Sequence, residues 1–179
     1  MMTPERYRAA PTFLQYLQTV EKNRELWHGL WERASLPDDV LERVGELPGR
    51  WYLLALSEDW CGDAVNALPW VARLAEAAPG VELRVLERDE NPDLMDAHLT
   101  DGTSRSIPVV IAYDEEFREQ GWWGPRPSEL QEWVMEEGME LPTRERYARV
   151  RRWYARDRGR TILEEVLVLL EKQGAVVAG

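Results

Sequence analysis

Residues 50–64, RWYLLALSEDWCGDA, contain a strand pattern that leads directly into a cysteine. Residues 50–57 form a short continuous apolar run, which is typical of a strand buried on both faces of a sheet. A helical pattern over 62–78 and a second strand pattern, VELRVLE at 81–87, follow. Strand, helix and strand joined by short loops predict a βαβ unit. Cys61 therefore lies at the turn between the first strand and its helix.

The remaining patterns extend this unit on both sides. The central order is β-α-β-α-β-β-α, and the predicted elements after the βαβ unit are a helix at 92–99, strands at 107–113 and 116–122, and a helix at 126–138. An amphipathic helix over 11–34 and a short helix over 39–47 precede the sheet, and a long helix from Leu141, with a break at Gly159, follows it. We expect an N-terminal helical extension (1–49), a central domain (50–138) and a C-terminal helical extension (139–179), all packed on one body.

Composition limits the function classes. The 179 residues are 44% hydrophobic and 31% charged, as in an ordinary globular domain. The net charge of -11 argues against binding to nucleic acid or to an anionic membrane, since both need phosphate to be neutralised. No apolar run approaches the roughly 18 residues of a membrane span, and no secretory leader is seen, so we expect a cytoplasmic protein. Cys61 is the single cysteine, which excludes an intrachain disulfide.

Arginines are concentrated in the C-terminal extension. Residues 144–160 contain eight arginines against Glu145 and Asp157. Beside an acidic body, such a segment is suited to intramolecular ion pairs or to a homodimer contact through the C-terminal helix. The apolar face at 162–170 needs burial, which the sheet, the N-terminal helices or a second subunit could supply.

Several short motifs together resemble the thioredoxin fold, an α/β fold with a central mixed sheet flanked by helices. The resemblance covers about residues 50–138 and rests on WCG at 60–62, Pro69 inside the helix, DENP at 89–92, RSIPV at 105–109 and Gly124. It implies that Pro108 is a cis-proline and that Cys61 is the nucleophile.

A closer resemblance is to a group of bacterial thioredoxin-like proteins with one active-site cysteine. The shared motifs are SEDWCGDA (57–64), RDEN (88–91), LMD (94–96), LTDG (99–102), SRSIP (104–108) and WGPRP (123–127). This resemblance implies that Ala64, which stands where a resolving cysteine would be, is a feature of the group.

Two further departures from thioredoxins concern proton transfer. The resemblance places Ala55 where thioredoxins carry a buried acid, and Val85 approximately where they carry its lysine partner. Both groups serve a resolving thiol, so their loss agrees with Ala64. What remains is a half-reaction, in which Cys61 forms a mixed disulfide that a protein or small-molecule thiol from outside must resolve. Oxidation of Cys61 to a sulfenic acid, followed by condensation with an external thiol, is an equivalent route.

Two opposing effects act on the pKa of Cys61. Free N–H groups at a helix N-terminus favour the thiolate, whereas the nearby carboxylates Glu58, Asp59 and Asp63 disfavour it. The sequence leaves the sign of the net shift open. The alternative to thiol exchange is therefore a non-enzymatic binding protein that uses the thioredoxin fold as a scaffold. A metal site formed by Cys61 with these carboxylates lacks a second soft ligand, so we predict neither metal nor cofactor.

The predicted substrate-binding residues surround Cys61. If Pro108 is cis, the backbone of Ile107 lies beside the cysteine and can pair with an extended peptide. Trp60 and Trp123 are candidates for an aromatic rim. The full predicted set is Trp60, Gly62, Asp63, Ile107, Pro108 and Trp123. For Arg88, Asp96, Arg105 and Arg126 we predict ion pairs that hold the nearby loops.

Overall fold

A computed structural model describes residues 2–174 and contains a four-stranded mixed sheet in the order β2-β1-β3-β4. The strands are β1 (Trp51–Ser57), β2 (Val81–Glu87), β3 (Val109–Tyr113) and β4 (Glu119–Trp123). β1 runs parallel to β2 and antiparallel to β3, and β4 is antiparallel to β3. The predicted α/β thioredoxin-like architecture is confirmed.

The two central strands are the most apolar in sequence, and the structure buries them. Every residue of β3 is buried, and all of β1 except Tyr52 is buried as well. The edge strand β2 alternates between buried and more exposed positions, whereas in β4 only Trp123 is buried. A continuous apolar run therefore marks a central strand here, as the sequence predicts.

Helices cover the sheet and form both extensions. They are α1 (Pro4–Ala9), α2 (Phe13–Thr19), α3 (Arg24–Arg33), α4 (Asp38–Gly45), α5 (Gly62–Ala77), α6 (Pro92–Ala97), α7 (Ser128–Glu136), α8 (Thr143–Asp157) and α9 (Arg160–Gly174), with a short 3₁₀ helix at Gly138–Glu140. α5 is the helix that follows β1, and it carries Pro69 in its interior. Among the residues described, no helix is both long and apolar enough to span a bilayer.

The prediction of one helix over 11–34 is wrong, because the chain breaks between α2 and α3. Asn23 adopts the left-handed conformation, with φ of 54°. The Asp59 carboxylate accepts hydrogen bonds from the backbone N–H groups of Glu21 and Lys22, both at 2.9 Å. The Trp27 indole N–H also donates to the Asp59 backbone carbonyl, at 3.0 Å. A loop distant in sequence thus takes over the hydrogen bonds that would have continued the helix.

The break predicted at Gly159 is present and separates α8 from α9. Arg158 and Gly159 both have positive φ, and Gly159 lies directly against the Trp70 ring of α5. Five apolar side chains of α9 are fully buried, namely those of Ile162, Leu163, Val166, Leu167 and Leu170. α9 packs on α4, α5 and β4, so the chain itself covers this face.

Candidate functional site

Cys61 is the N-cap residue of α5 and ends the short turn that follows β1. Its Sγ accepts a hydrogen bond from the Ala64 backbone N–H at 3.4 Å. The same sulfur donates to the Ile107 backbone carbonyl at 3.5 Å. The side chain is buried, with 7% of its surface exposed. The structure thus brings the predicted nucleophile and the predicted peptide-binding backbone into contact.

The loop opposite Cys61 is shaped by Pro108 and Gly124. The Ile107–Pro108 peptide bond is cis. Gly124, at the end of β4, has φ of +136°, and a Cβ there would lie 2.1 Å from the Pro108 carbonyl oxygen. A side chain at position 124 cannot be accommodated without moving the Pro108 backbone, so glycine permits the close approach of the two segments.

Burial determines the protonation of Cys61. It raises the pKa of the thiol to about 11, against a smaller lowering by the Ala64 N–H. Asp63 raises the pKa further, and Arg126 lowers it. The thiol is therefore neutral at pH 7. The sequence left the sign of this shift open because it showed the helix end and the carboxylates but not the burial.

Two of the three carboxylates near Cys61 in sequence are bound to other parts of the chain. Glu58 accepts a hydrogen bond from the backbone N–H of Asp89 at 3.0 Å, and Asp59 binds the segment between α2 and α3 as described above. Their proximity to Cys61 in sequence therefore overstated their effect on the pKa of the Cys61 thiol.

The third carboxylate, Asp63, belongs to a buried network that joins α5 to the C-terminal extension. Arg126 donates from Nε and Nη2 to the two Asp63 oxygens, at 2.9 and 2.7 Å. The Tyr154 hydroxyl, from α8, donates to Asp63 Oδ1 at 2.9 Å. Burial and the Asp63 charge raise the pKa of Tyr154 well above its ordinary value. Although burial lowers the pKa of Arg126, Asp63 more than compensates and raises it.

Sequence reasoning does not single out Tyr154 as a site residue. Asp63, predicted to bind substrate, has both carboxylate oxygens occupied by this network. The aromatic content of α8 gave no indication that its tyrosine hydroxyl reaches the helix that carries Cys61.

The region behind Cys61 in the sheet is apolar. Ala55 of β1 is paired in register with Val85 of β2, and both are fully buried. These are the positions where the resemblance places the acid and the lysine of thioredoxins. Here the pair provides no group that can accept or donate a proton.

The other predicted binding residues differ in exposure. Trp60 is 43% exposed, and the Arg88 guanidinium lies 5.3 Å from the centre of its ring. Gly62 is exposed in the first turn of α5. Trp123 is 7% exposed, and its indole N–H donates to Glu165 of α9 at 2.7 Å. Trp60 therefore offers an aromatic surface beside Cys61, whereas Trp123 is mostly covered by the chain.

The predicted ion pairs are confirmed. Arg105 pairs with Asp96 at 2.6 Å, and Arg126 pairs with Asp63 at 2.7 Å. Arg88 pairs with Asp89 at 2.8 Å. In the arginine-rich segment, Arg149 pairs with Glu145 within α8, and Arg160 reaches Asp39 of α4. Over residues 2–174, no group of three or more His, Cys, Asp or Glu side chains is arranged to hold a metal ion.

The mixed sheet, with α5 following β1 and Cys61 in the turn between them, defines a thioredoxin-fold protein. A family model described as thioredoxin matches residues 10–151. The chain belongs to this thioredoxin family.

Two solved structures show the same fold over nearly the whole chain. The first is a crystal structure of a protein of unknown function from Pseudomonas aeruginosa, which is 18% identical, with a TM-score of 0.75, over 97% of this chain and 99% of that one. The second is an HIV epitope scaffold, also 18% identical, with a TM-score of 0.73 over 96% of this chain and 99% of the scaffold. No curated protein matches the chain. The likeness therefore extends through both helical extensions and concerns the fold alone.

Proposed function

We propose that this protein carries out thiol–disulfide exchange through Cys61 alone, with a protein or small-molecule disulfide as substrate. The observation that carries the proposal is the position of the sulfur at the start of α5, with the Ala64 N–H directed at it and the Ile107 carbonyl 3.5 Å away. A backbone N–H at a helix N-terminus stabilises a thiolate, which is the species that attacks a disulfide.

The exchange has two steps. The Cys61 thiolate attacks one sulfur of the substrate disulfide, the S–S bond breaks, and the second sulfur leaves as a thiolate that takes up a proton. A thiolate from an external thiol then attacks the substrate sulfur of the mixed disulfide and restores Cys61. Because Ala64 carries no sulfur, the second step depends on that external thiol.

The raised pKa makes the first step slow but does not prevent it. With a pKa of about 11, the thiolate fraction at pH 7 is about 300-fold lower than for an ordinary cysteine. A more basic thiolate is a better nucleophile, by about tenfold over this interval. The expected rate of attack is therefore at least about tenfold below that of an exposed cysteine.

Burial of Cys61 favours a second candidate, a non-enzymatic binding protein. In this case the backbone of Ile107 and the exposed face of Trp60 hold an extended peptide, and the neutral Cys61 thiol only contributes to the surface that the peptide contacts. Main-chain pairing of this kind needs no reactive cysteine. The cytoplasmic location and the homodimer contact through the C-terminal helix remain predictions under either candidate.

The two candidates differ in how Cys61→Ser behaves. A fluorescent peptide disulfide is incubated with an excess of a small thiol, with and without protein, and its reduction is followed together with peptide binding. Exchange predicts that the wild type accelerates reduction in proportion to its concentration and that Cys61→Ser does not. Acceleration by neither protein, with equal peptide binding by both, would support the binding candidate instead.

A further variant tests the dependence on an external thiol. Ala64→Cys places a second thiol three residues after Cys61, in the first turn of α5. Ala64→Ser is its matched control. The mixed disulfide of the wild type should persist until external thiol is added, whereas that of Ala64→Cys should resolve without it. Persistence in both proteins would contradict the assigned role of position 64.

A further inference from the structure

The titratable side chains clustered near Cys61 come from three separate elements. Asp63 lies in the first turn of α5, Arg126 lies in the segment between β4 and α7, and Tyr154 lies on α8. Arg126 is the cation of this group, and it is bound at both carboxylate oxygens of Asp63. The three side chains form one hydrogen-bonded cluster beside the sulfur.

The cluster is sequestered from solvent. The Asp63 side chain is 9% exposed and that of Arg126 is 17% exposed. Tyr154 is 5% exposed. In such surroundings charge interactions are screened far less than at the surface. Whether a carboxylate neutralises Arg126 therefore strongly affects the electrostatic potential at the neighbouring groups.

We propose that Asp63 is a positioning residue that withholds Arg126 from the Cys61 sulfur. A guanidinium next to a thiol stabilises the thiolate, and it does so fully only when no carboxylate neutralises it. Asp63 provides that carboxylate in bidentate geometry, which is the strongest form of this pairing. The Asp63–Arg126 pair thus modulates the reactivity of Cys61 in addition to the larger effect of burial, and this regulation rests on the proposed function of the cysteine.

Tyr154 connects this control to the C-terminal extension. Its hydroxyl donates to the same Asp63 oxygen that accepts from Arg126 Nε. Because α8 supplies the third hydrogen bond, a displacement of α8 would remove one of the contacts that keep Asp63 in place. The C-terminal extension is in this way part of the thiol site.

The test is the rate of Cys61 alkylation by iodoacetamide as a function of pH, which yields the thiol pKa in each variant. Asp63→Asn keeps the shape and an acceptor oxygen but removes the charge. An unmasked cation beside the thiol should lower the pKa of Cys61 by about 1–3 units and accelerate alkylation at pH 8 about threefold or more, because the gain in thiolate fraction exceeds the loss in nucleophilicity. An unchanged pKa in folded Asp63→Asn would overturn the proposal.

Arg126→Gln separates this proposal from simple loosening of the site. Removal of the guanidinium leaves the Asp63 charge unbalanced, so alkylation at pH 8 should be slower than in the wild type, by about threefold or more. A loosened site would instead expose the thiol and accelerate the reaction, which would overturn the proposal. If Asp63→Asn does not fold, this opposite sign still tests the idea.

The double variant Asp63→Asn/Arg126→Gln carries neither charge and serves as the reference. It should return the pKa of Cys61 close to the wild-type value, and a pKa as low as that of Asp63→Asn would contradict the role of Arg126. All these readouts concern the thiol pKa and not catalysed exchange. A protein with the expected shifts but without exchange would refute the proposed function and leave this inference intact.

Discussion

Cys61 retains its proton in the folded chain to a higher pH than an ordinary cysteine does, which couples stability to pH. The pKa is about 11 in the folded state and near 8.5 in an unfolded chain. Below pH 8.5 both states are protonated and the thiol has no effect on stability. Above pH 8.5 the unfolded chain releases the proton first, so the free energy of unfolding decreases as pH rises towards 11.

Comparison with Cys61→Ser isolates this effect. Between pH 7 and pH 10, the wild type should lose roughly 1–2 kcal/mol of unfolding free energy more than Cys61→Ser. Burial also raises the pKa of Tyr7, Tyr16 and Tyr113, but these tyrosines are present in both proteins and cancel. Urea unfolding at several pH values measures the difference. Parallel stability curves for the two proteins would show that the thiol is not protected from ionisation.

For Cys61, the sequence predicts the position of the residue in the fold better than it predicts the residues that surround it. Local pattern places Cys61 at the strand-to-helix turn, because that depends on the period of neighbouring residues. Its burial and the contact of Asp63 with Tyr154 depend on residues up to 91 positions apart, which no local pattern encodes. The same holds for Asp59, which lies beside Cys61 in sequence but binds the break between α2 and α3.

The junction between α8 and α9 is sterically constrained at Gly159, which contacts α5. A Cβ on Gly159 would lie 2.1 Å from the Trp70 ring, and the residue has φ of +74°. Gly159→Ala should therefore reduce the free energy of unfolding by roughly 2–5 kcal/mol, from backbone strain together with the steric conflict. Chemical denaturation with far-UV circular dichroism gives this value.

Gly102→Ala is the matched control for this substitution. Gly102 has a similar φ of +69°, but no atom lies within 4 Å of its added Cβ. Its cost should be limited to the backbone contribution of about 1 kcal/mol. Equal losses for the two variants would mean that α5 and the α8–α9 junction separate easily, contrary to the packing on Trp70.

Among the elements, the order along the chain was predictable and the boundaries were less so, since β3 and β4 begin two and three residues later than the patterns indicate. β2 begins and ends where the pattern indicates, since its turn residues and alternation are local. The division of the helix predicted over 11–34 was not visible, because Val20 and Trp27 on either side of the break are seven residues apart and so stay in helical phase. Gly159 did mark the later break, since a glycine between two apolar-periodic segments is a local signal.

The two helical extensions meet on the same side of the molecule. α3 and α4 from the N-terminal extension and α9 from the C-terminal extension all pack on α5. Arg43 of α4 donates to Glu164 at 2.5 Å and to Glu171 at 2.9 Å, both on α9. The sequence showed that the apolar face of α9 needed a cover but could not choose among the candidates, because each was an amphipathic surface of suitable size.

This shared packing predicts that the whole chain unfolds in one transition. Neither extension can leave α5 without exposing the apolar surface of the other, so calorimetry should show a single peak with equal calorimetric and van't Hoff enthalpies.

Arg43→Gln removes two ion pairs whose side chains are about one-third exposed. Solvent screening limits their joint contribution to about 1 kcal/mol, so the midpoint should fall by about 2–4 °C while the peak remains single. Arg118→Gln is the control, since its pairs with Asp114 and Glu116 lie in one exposed turn, and its midpoint should change by less than that of Arg43→Gln. Two separate peaks in the wild type would mean instead that an extension unfolds independently of the sheet.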